Sequence, residues 1–285
     1  MFKINKLFIF FALIIICLYF PIASSATQPK TRIISLTPAS TEILFALGLD
    51  KEIIGVSSYC NYPKEAQAKE KVGSFSSPNI EKIILLKPDL VILTGMEQAY
   101  LKSILSSLKI DYVSVDPTNL EELIDSLKEV GELTGRQRQA EVLARRIETA
   151  IRAIQESLLK IPHNKQPNVY VEMWHDPIMS IGGNSFLGDM IEKAGGRNIT
   201  YDLKRSFSKI NPEVVVERNP DIIILAYMKP TEWLKTSFYN RLGFSGVNAI
   251  KNKRVYTDIN PDIVLRPGPR VAEGLIELHK RFYEA

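Results

Sequence analysis

Residues 79–93 read Asn-Ile-Glu-Lys-Ile-Ile-Leu-Leu-Lys-Pro-Asp-Leu-Val-Ile-Leu, and residues 211–225 read Asn-Pro-Glu-Val-Val-Val-Glu-Arg-Asn-Pro-Asp-Ile-Ile-Ile-Leu. The stretches align without a gap. Asn79, Glu81, Pro88, Asp89, Ile92 and Leu93 recur as Asn211, Glu213, Pro220, Asp221, Ile224 and Leu225. Each copy predicts a helix opened by an Asn N-cap, a Pro-Asp turn and a short apolar strand. A strand that is apolar at every position is the kind buried on both faces of a parallel sheet. Two copies are too few for a solenoid and point instead to two lobes that share a topology.

Around the first copy, residues 32–36 and 53–57 read as strands, with a helix from about Ser40 to Leu47 between them. A helix near Tyr100–Leu108, a strand at Tyr112–Val115 and a helix from Leu120 to Leu133 follow. Around the second copy, Val169–Glu172 reads as a strand and Phe186–Ala194 as a helix stopped by Gly195 and Gly196. Alternating strands and helices predict parallel α/β sheets. Between the two halves, Arg136 to Lys160 contains neither Gly nor Pro. Within it Ala140, Leu143, Ile147, Ile151, Ile154 and Leu158 recur at steps of three and four. That is one apolar stripe on a helix about 37 Å long, and its place mid-chain predicts a rigid connector. The expected architecture is α/β: two lobes with central, mainly parallel sheets, joined by one long helix. The lobes are expected at residues 27–135 and 162–285, with the linker helix at 136–161.

Lys3 and Lys6 precede an apolar run from Leu7 to Phe20, and Pro21 leads into Ala23-Ser-Ser-Ala26. A basic start, a short apolar run and small residues at its end form a secretory signal peptide. The run is shorter than the span of about 20 residues that crosses a bilayer. Cleavage near Ala26 and a periplasmic product are therefore expected. Cys17 follows Ile16, whereas lipid attachment wants a small residue there, so a soluble product is expected. Cleavage would leave Cys60 alone, excluding an intramolecular disulfide and any metal site built on cysteine pairs. A lone cysteine is more often a small buried hydrophobe than a reactive thiol. The 285-residue chain is 45% hydrophobic and 24% charged, which excludes global disorder. Two of its four net positive charges are Lys3 and Lys6, so no concentrated basic face for nucleic acid is predicted.

Glu81 and Glu213 each lie two residues after an Asn N-cap. An acid in a first helical turn is stabilised by the helix dipole by about 0.3–1 kcal/mol. Alternatively, two matched carboxylates could meet Arg or Lys of a two-fold partner. Segments 57–63, 74–76, 173–177, 206–208 and 262–270 should gather at the strand ends that face the gap between lobes, where open α/β sheets bind ligands. Their aromatics, Tyr59, Phe75, Trp174 and Phe207 among them, would suit a flat, largely apolar ligand with a polar rim. Asp262 and Arg266, four residues apart, could pair on a helix or contact the ligand. Arg205, Arg266 and Arg270 together would favour an anionic one. No Gly-x-Ser-x-Gly, phosphate-loop or His-Glu-x-x-His motif is present, so no catalytic residues are predicted. Glu172, His175 and Asp176 could ligate a metal, the sole support for an exported metal-dependent hydrolase; no metal site is expected.

These residues resemble the periplasmic substrate-binding proteins of ATP-driven (ABC) importers for vitamin B12 and iron complexes. The resemblance runs from about Arg32 to Tyr283. It is carried by Ile34-Ser-Leu-Thr-Pro-Ala-Ser-Thr-Glu42, Val56-Ser-Ser-Tyr59 to Tyr62-Pro63, Asn79-Ile-Glu81 to Leu93, and Asp262 with Arg266. It implies two α/β lobes on one long helix with small hinge motion, and a chain that is no enzyme, has no resident cofactor and is monomeric when free. Its implied ligand is cobalamin or a related corrinoid, with haem or a ferric siderophore as the alternative. In the haem case Tyr59 or His175 would ligate the iron. Its implied partner is a permease dimer in the inner membrane. By resemblance, Glu81 and Glu213 match lobe-tip glutamates that dock onto permease arginines. Tyr59 matches a tyrosine of the ligand site, and Asp262 and Arg266 a polar pair at its rim. Phe75 and Phe207 stand where the family has cleft tryptophans, and Thr94 where a B12 binder has another aromatic.

Overall fold

The computed structural model describes residues 29–95, 98–227 and 232–284, apart from the side chains of 233–235. The predicted signal segment, Cys17 included, lies outside the described residues. The N-terminal lobe carries strands β1 (Ile33–Ser35), β2 (Ile53–Val56), β3 (Leu90–Leu93) and β4 (Asp111–Ser114), all parallel, in the order β2-β1-β3-β4. The C-terminal lobe carries β5 (Asn168–Glu172), β8 (Arg197–Asn198), β10 (Ile222–Leu225) and β11 (Val255–Tyr256), also parallel, in the order β8-β5-β10-β11. In each lobe the order is second, first, third, fourth, so the repeat read in the sequence is a repeat of topology. The C-terminal lobe adds an antiparallel ribbon of β6 (Trp174–His175), β7 (Ile178–Ile181) and β9 (Phe207–Lys209).

Each sheet is buried on both faces, as its apolar strands require, and period 2 divides the side chains between two cores. In β1 and β3, Ile33, Leu90 and Ile92 join one cluster while Ile34, Val91 and Leu93 join another. In β5 and β10, Val169, Val171, Ile222 and Ile224 join the first of these, and Tyr170, Ile223 and Leu225 a third. One continuous apolar core therefore runs through both lobes.

The long helix lies along that core, with one stripe buried in it and the opposite face in water. It spans Gln137–Leu158, inside the predicted limits. Its buried residues are Ala140, Leu143, Ala144, Ile147 and Ile154, with Ile151 and Leu158 partly buried at its C-terminal end. It packs against the helix Leu120–Leu133 of the first lobe and the helix Val271–Tyr283 of the second. Ser157 Oγ lies 3.0 Å from His279 Nε2, and His279 Nδ1 lies 2.9 Å from the Ala194 carbonyl oxygen, so this histidine ties the rod to the second lobe. Among the described residues no helix is long and apolar enough to cross a membrane.

At the N-terminal end of the rod, a Cβ built on Gly131 would lie 2.5 Å from Ala140 Cβ. Helix propensity alone favours Ala over Gly by about 1 kcal/mol. Overpacking at this contact outweighs it, so Gly131→Ala should lower unfolding stability by about 1–3 kcal/mol in denaturant titration.

Candidate functional site

A parallel sheet of this order opens a crevice at the carboxyl ends of its strands, where the order reverses beside the first strand. In the N-terminal lobe that point is organised by Gln98, a buried side chain. Its amide donates to the Leu36 carbonyl at 3.4 Å and the Phe75 carbonyl at 2.8 Å, and its oxygen accepts from the Thr94 amide at 3.0 Å. It thus holds the half-buried Phe75 over the ends of β1 and β3. Beyond β2 the turn bearing Tyr59 is pinned by Cys60. The Cys60 thiol is buried, accepts from the Thr41 hydroxyl at 3.1 Å and lies 3.2 Å from Ser57 Oγ. The Tyr59 ring itself is exposed.

In the C-terminal lobe the equivalent point lies between the ends of β5 and β10. Trp174 and His175 follow β5 directly, with ring centroids 5.4 Å apart, and His175 lies 6.3 Å from Tyr227 just past β10. The Trp174 indole donates to the Asp176 carbonyl at 2.8 Å. Trp174 pairs with Met179, and Phe207 with Ile181 two positions along β7. Period 2 therefore puts both exposed aromatics on one face of the ribbon. No ring of one lobe stacks on a ring of the other among the described residues.

Beneath them Glu172 is fully buried. Arg241 grips it through two bonds, 2.5 and 2.8 Å long. The Tyr170 hydroxyl donates to it at 3.1 Å, and so does the Tyr227 hydroxyl. The alternative in which Glu172 joins His175 and Asp176 around a metal loses its first ligand, because this carboxylate is turned into the lobe and committed to a guanidinium. Among the described residues no group of three His, Cys, Asp or Glu side chains is placed to hold a metal.

The lobes meet at a second buried carboxylate. Glu42, in the helix Pro38–Ala46 that follows β1, is 2% exposed. Arg270 reaches it with Nε at 2.8 Å and Nη2 at 2.8 Å, and Arg266 with Nη1 at 3.0 Å. Arg266 also donates to Asn61 Oδ1 at 2.9 Å and pairs with Asp262 at 2.8 Å. The helix Pro261–Val264 ends before Arg266, so this pair closes beyond the helix rather than along it. The Arg270 guanidinium lies 3.9 Å from the centroid of the Tyr62 ring. The Glu42 bonds hold its pKa above the usual arginine value. Two carboxylates, Glu42 and Asp262, thus face the two guanidiniums, so Arg266 and Arg270 add no unpaired positive charge to the cleft.

Glu81 and Glu213 occupy the same position in helices α2 (Ile80–Leu85) and α7 (Pro212–Arg218), each the second residue after its Asn N-cap. Asn79 Oδ1 accepts from the Lys82 amide at 2.9 Å and Asn211 Oδ1 from the Glu213 amide at 3.1 Å. Both glutamates are exposed. Glu42, Gln98 and Arg241 organise the site without having been read as site residues. Only Glu42 left a signal, as a charge directly before the apolar run Ile43–Ala46.

Two lobes whose strand ends share a rim set with aromatics define a two-lobed binding protein. The chain belongs to the periplasmic binding protein family, whose model matches residues 33–260. It is 34% identical over 262 residues to an uncharacterised ABC transporter substrate-binding lipoprotein of Bacillus subtilis, YvrC, with 90% of this chain and 81% of that one covered. It is 28% identical over 276 residues to the vitamin B12-binding protein of Vibrio parahaemolyticus, covering 94% and 96%. A solved structure from Staphylococcus epidermidis, described as a possible iron-binding (periplasmic solute-binding) protein, matches with a TM-score of 0.78 at 34% identity, over 90% of this chain and all of that one. These relatives are substrate-binding proteins rather than enzymes.

Removing Glu42 leaves two guanidiniums facing each other inside the structure. Glu42→Ala should cost about 3–5 kcal/mol of stability, whereas Asp262→Ala, at the more exposed pair, should cost at most about 1 kcal/mol. Burial, reinforced by Glu172, pushes the Tyr170 and Tyr227 phenols well above the ordinary range. A pKa raised on folding contributes stability below the unfolded value of about 10, and that stability is lost as pH rises beyond it. In an absorbance titration to about pH 11, these two tyrosines should stay protonated until the protein unfolds.

Proposed function

We propose that this chain is the extracytoplasmic substrate-binding subunit of an ATP-driven importer, and that it carries cobalamin or a related corrinoid. The charge balance of the rim carries the corrinoid choice. With Arg266 and Arg270 matched by Glu42 and Asp262, the rim suits a bulky, nearly neutral ligand better than an anionic one. Tyr59, Phe75, Trp174 and Phe207 supply apolar contact area on both lobes, with Asp262 and Arg266 as the polar edge. The B12-binding relative supports the same choice. Glu81 and Glu213 serve as docking carboxylates for the membrane permease, which works with its ATPase. The chain itself makes and breaks no bond.

A second reading, haem or a ferric siderophore, is favoured by one observation. Tyr59 and His175 put an oxygen and a nitrogen donor at the mouths of opposite lobes, and the Staphylococcus neighbour is described as an iron binder.

A competitive panel of cyanocobalamin, cobinamide, haem and ferric siderophores against residues 27–285 separates the two. Cyanocobalamin should bind, and Trp174→Ala or Phe207→Ala should weaken it about tenfold or more through lost apolar burial. No heat or spectral change with cyanocobalamin, together with a haem Soret shift lost in Tyr59→Phe or His175→Ala, would establish the haem reading instead. The mass of the exported chain distinguishes cleavage near Ala26 from a lipidated form beginning at Cys17.

A further inference from the structure

Each lobe sets a leucine in water: Leu85 on the helix that carries Glu81, and Leu242 in a turn packed against the helix that carries Glu213. On α2, Leu85 lies four residues after Glu81 and so on the same side of the helix. It is 78% exposed, while Ile83 of the same helix is 1% exposed. In the second lobe the repeat places Glu217 where Leu85 stands, and the leucine comes from a neighbouring turn. Val216 shares a side of α7 with Glu213. Gly243, at φ +82°, lies against Val216, where an added Cβ would come within 3.2 Å of Val216 Cγ2. Leu242, just before it, is 98% exposed.

Leu242 is not held out by slackness. Arg241 on one side is fixed to the buried Glu172, and Phe244 on the other is fully buried, with its amide bonded to the Arg241 carbonyl at 3.2 Å. A single exposed leucine needs no explanation. Two of them, one on and one next to the equivalent helices of a repeated unit and supplied by different routes, do. Ion pairs between exposed side chains contribute little in water and weaken with salt, so two glutamates orient a partner better than they hold one.

We propose that Leu85 and Leu242 form the apolar half of the permease-docking surface. The partner then offers, twice, a cationic side chain next to an apolar socket. The proposal rests on the docking role assigned above to Glu81 and Glu213, and a two-fold permease is the occupant it commits to.

The test measures binding of the full exported chain, loaded with cyanocobalamin as probe, to its permease–ATPase complex in nanodiscs at low and high salt. Leu85→Ser with Leu242→Ser should weaken docking about tenfold or more, chiefly through faster dissociation and alike at both salt concentrations. Cyanocobalamin affinity and the unfolding midpoint should be unchanged. Glu81→Gln with Glu213→Gln should instead slow association, most clearly at low salt. If the leucine pair docks like the wild type while the glutamate pair does not, the leucine proposal fails and the docking role of the glutamates stands. If both variants dock like the wild type, that role fails and the proposal with it. A wild-type dimer in sedimentation that the leucine variant converts to monomer would also overturn the proposal, assigning the surface to a second copy of the chain.

Discussion

The carboxylate of Glu42 fixes how the two lobes meet. It sits in a helix whose next residues, Ile43 and Leu44, are fully buried, and a charge there must be paired to be tolerated. Its partners, Arg266 and Arg270, lie 224 and 228 positions further along the chain. The first lobe therefore cannot neutralise its own interior; the second does it. The same three bonds position the segment 262–270, orient Arg270 over Tyr62 and consume the positive charge that would otherwise mark the rim. One electrostatic requirement thus sets lobe placement and the chemistry of the opening together.

That placement is reinforced by the shared core. The faces of both sheets that carry Ile33, Leu90, Val169 and Ile222 belong to one apolar cluster, with the long helix running along it. Loops joining two lobes can swing by changing a few backbone angles. A continuous helix buried along one stripe resists this, because bending it breaks apolar contact on both sides. The architecture suits a carrier that holds its ligand between walls of nearly fixed spacing.

Much of this was legible in the sequence because it rests on periodicity. The duplicated Asn-x-Glu helix and Pro-Asp-strand unit gave both sheets their third strand, and the stripe from Ala140 to Leu158 gave the rod to within one residue at its start and three at its end. The helix expected from about Leu120 to Leu133 spans those residues, capped by Asn119, whose side-chain oxygen accepts from the Glu122 amide at 2.9 Å. What could not be read was every contact between distant segments. Nothing near Gln98 announces that it joins Leu36, Phe75 and Thr94. Glu172 closes a strand beside His175 and Asp176 in the sequence, and nothing there shows that its carboxylate turns inward to Arg241. Arg266 was read beside Asp262, its neighbour in sequence, while its buried partner Glu42 belongs to the other lobe.

The matched strand order of the two lobes has one more consequence. Two copies of one topology make the sheets of the lobes alike, although the sequence runs only one way. Glu81 and Glu213 fall at matching places in that repeat; the antiparallel ribbon bearing Trp174 and Phe207 breaks it, since among the described residues it exists in one lobe only. The two mouths are therefore unlike walls built on like sheets: one carries a ribbon of exposed aromatics that the other lacks.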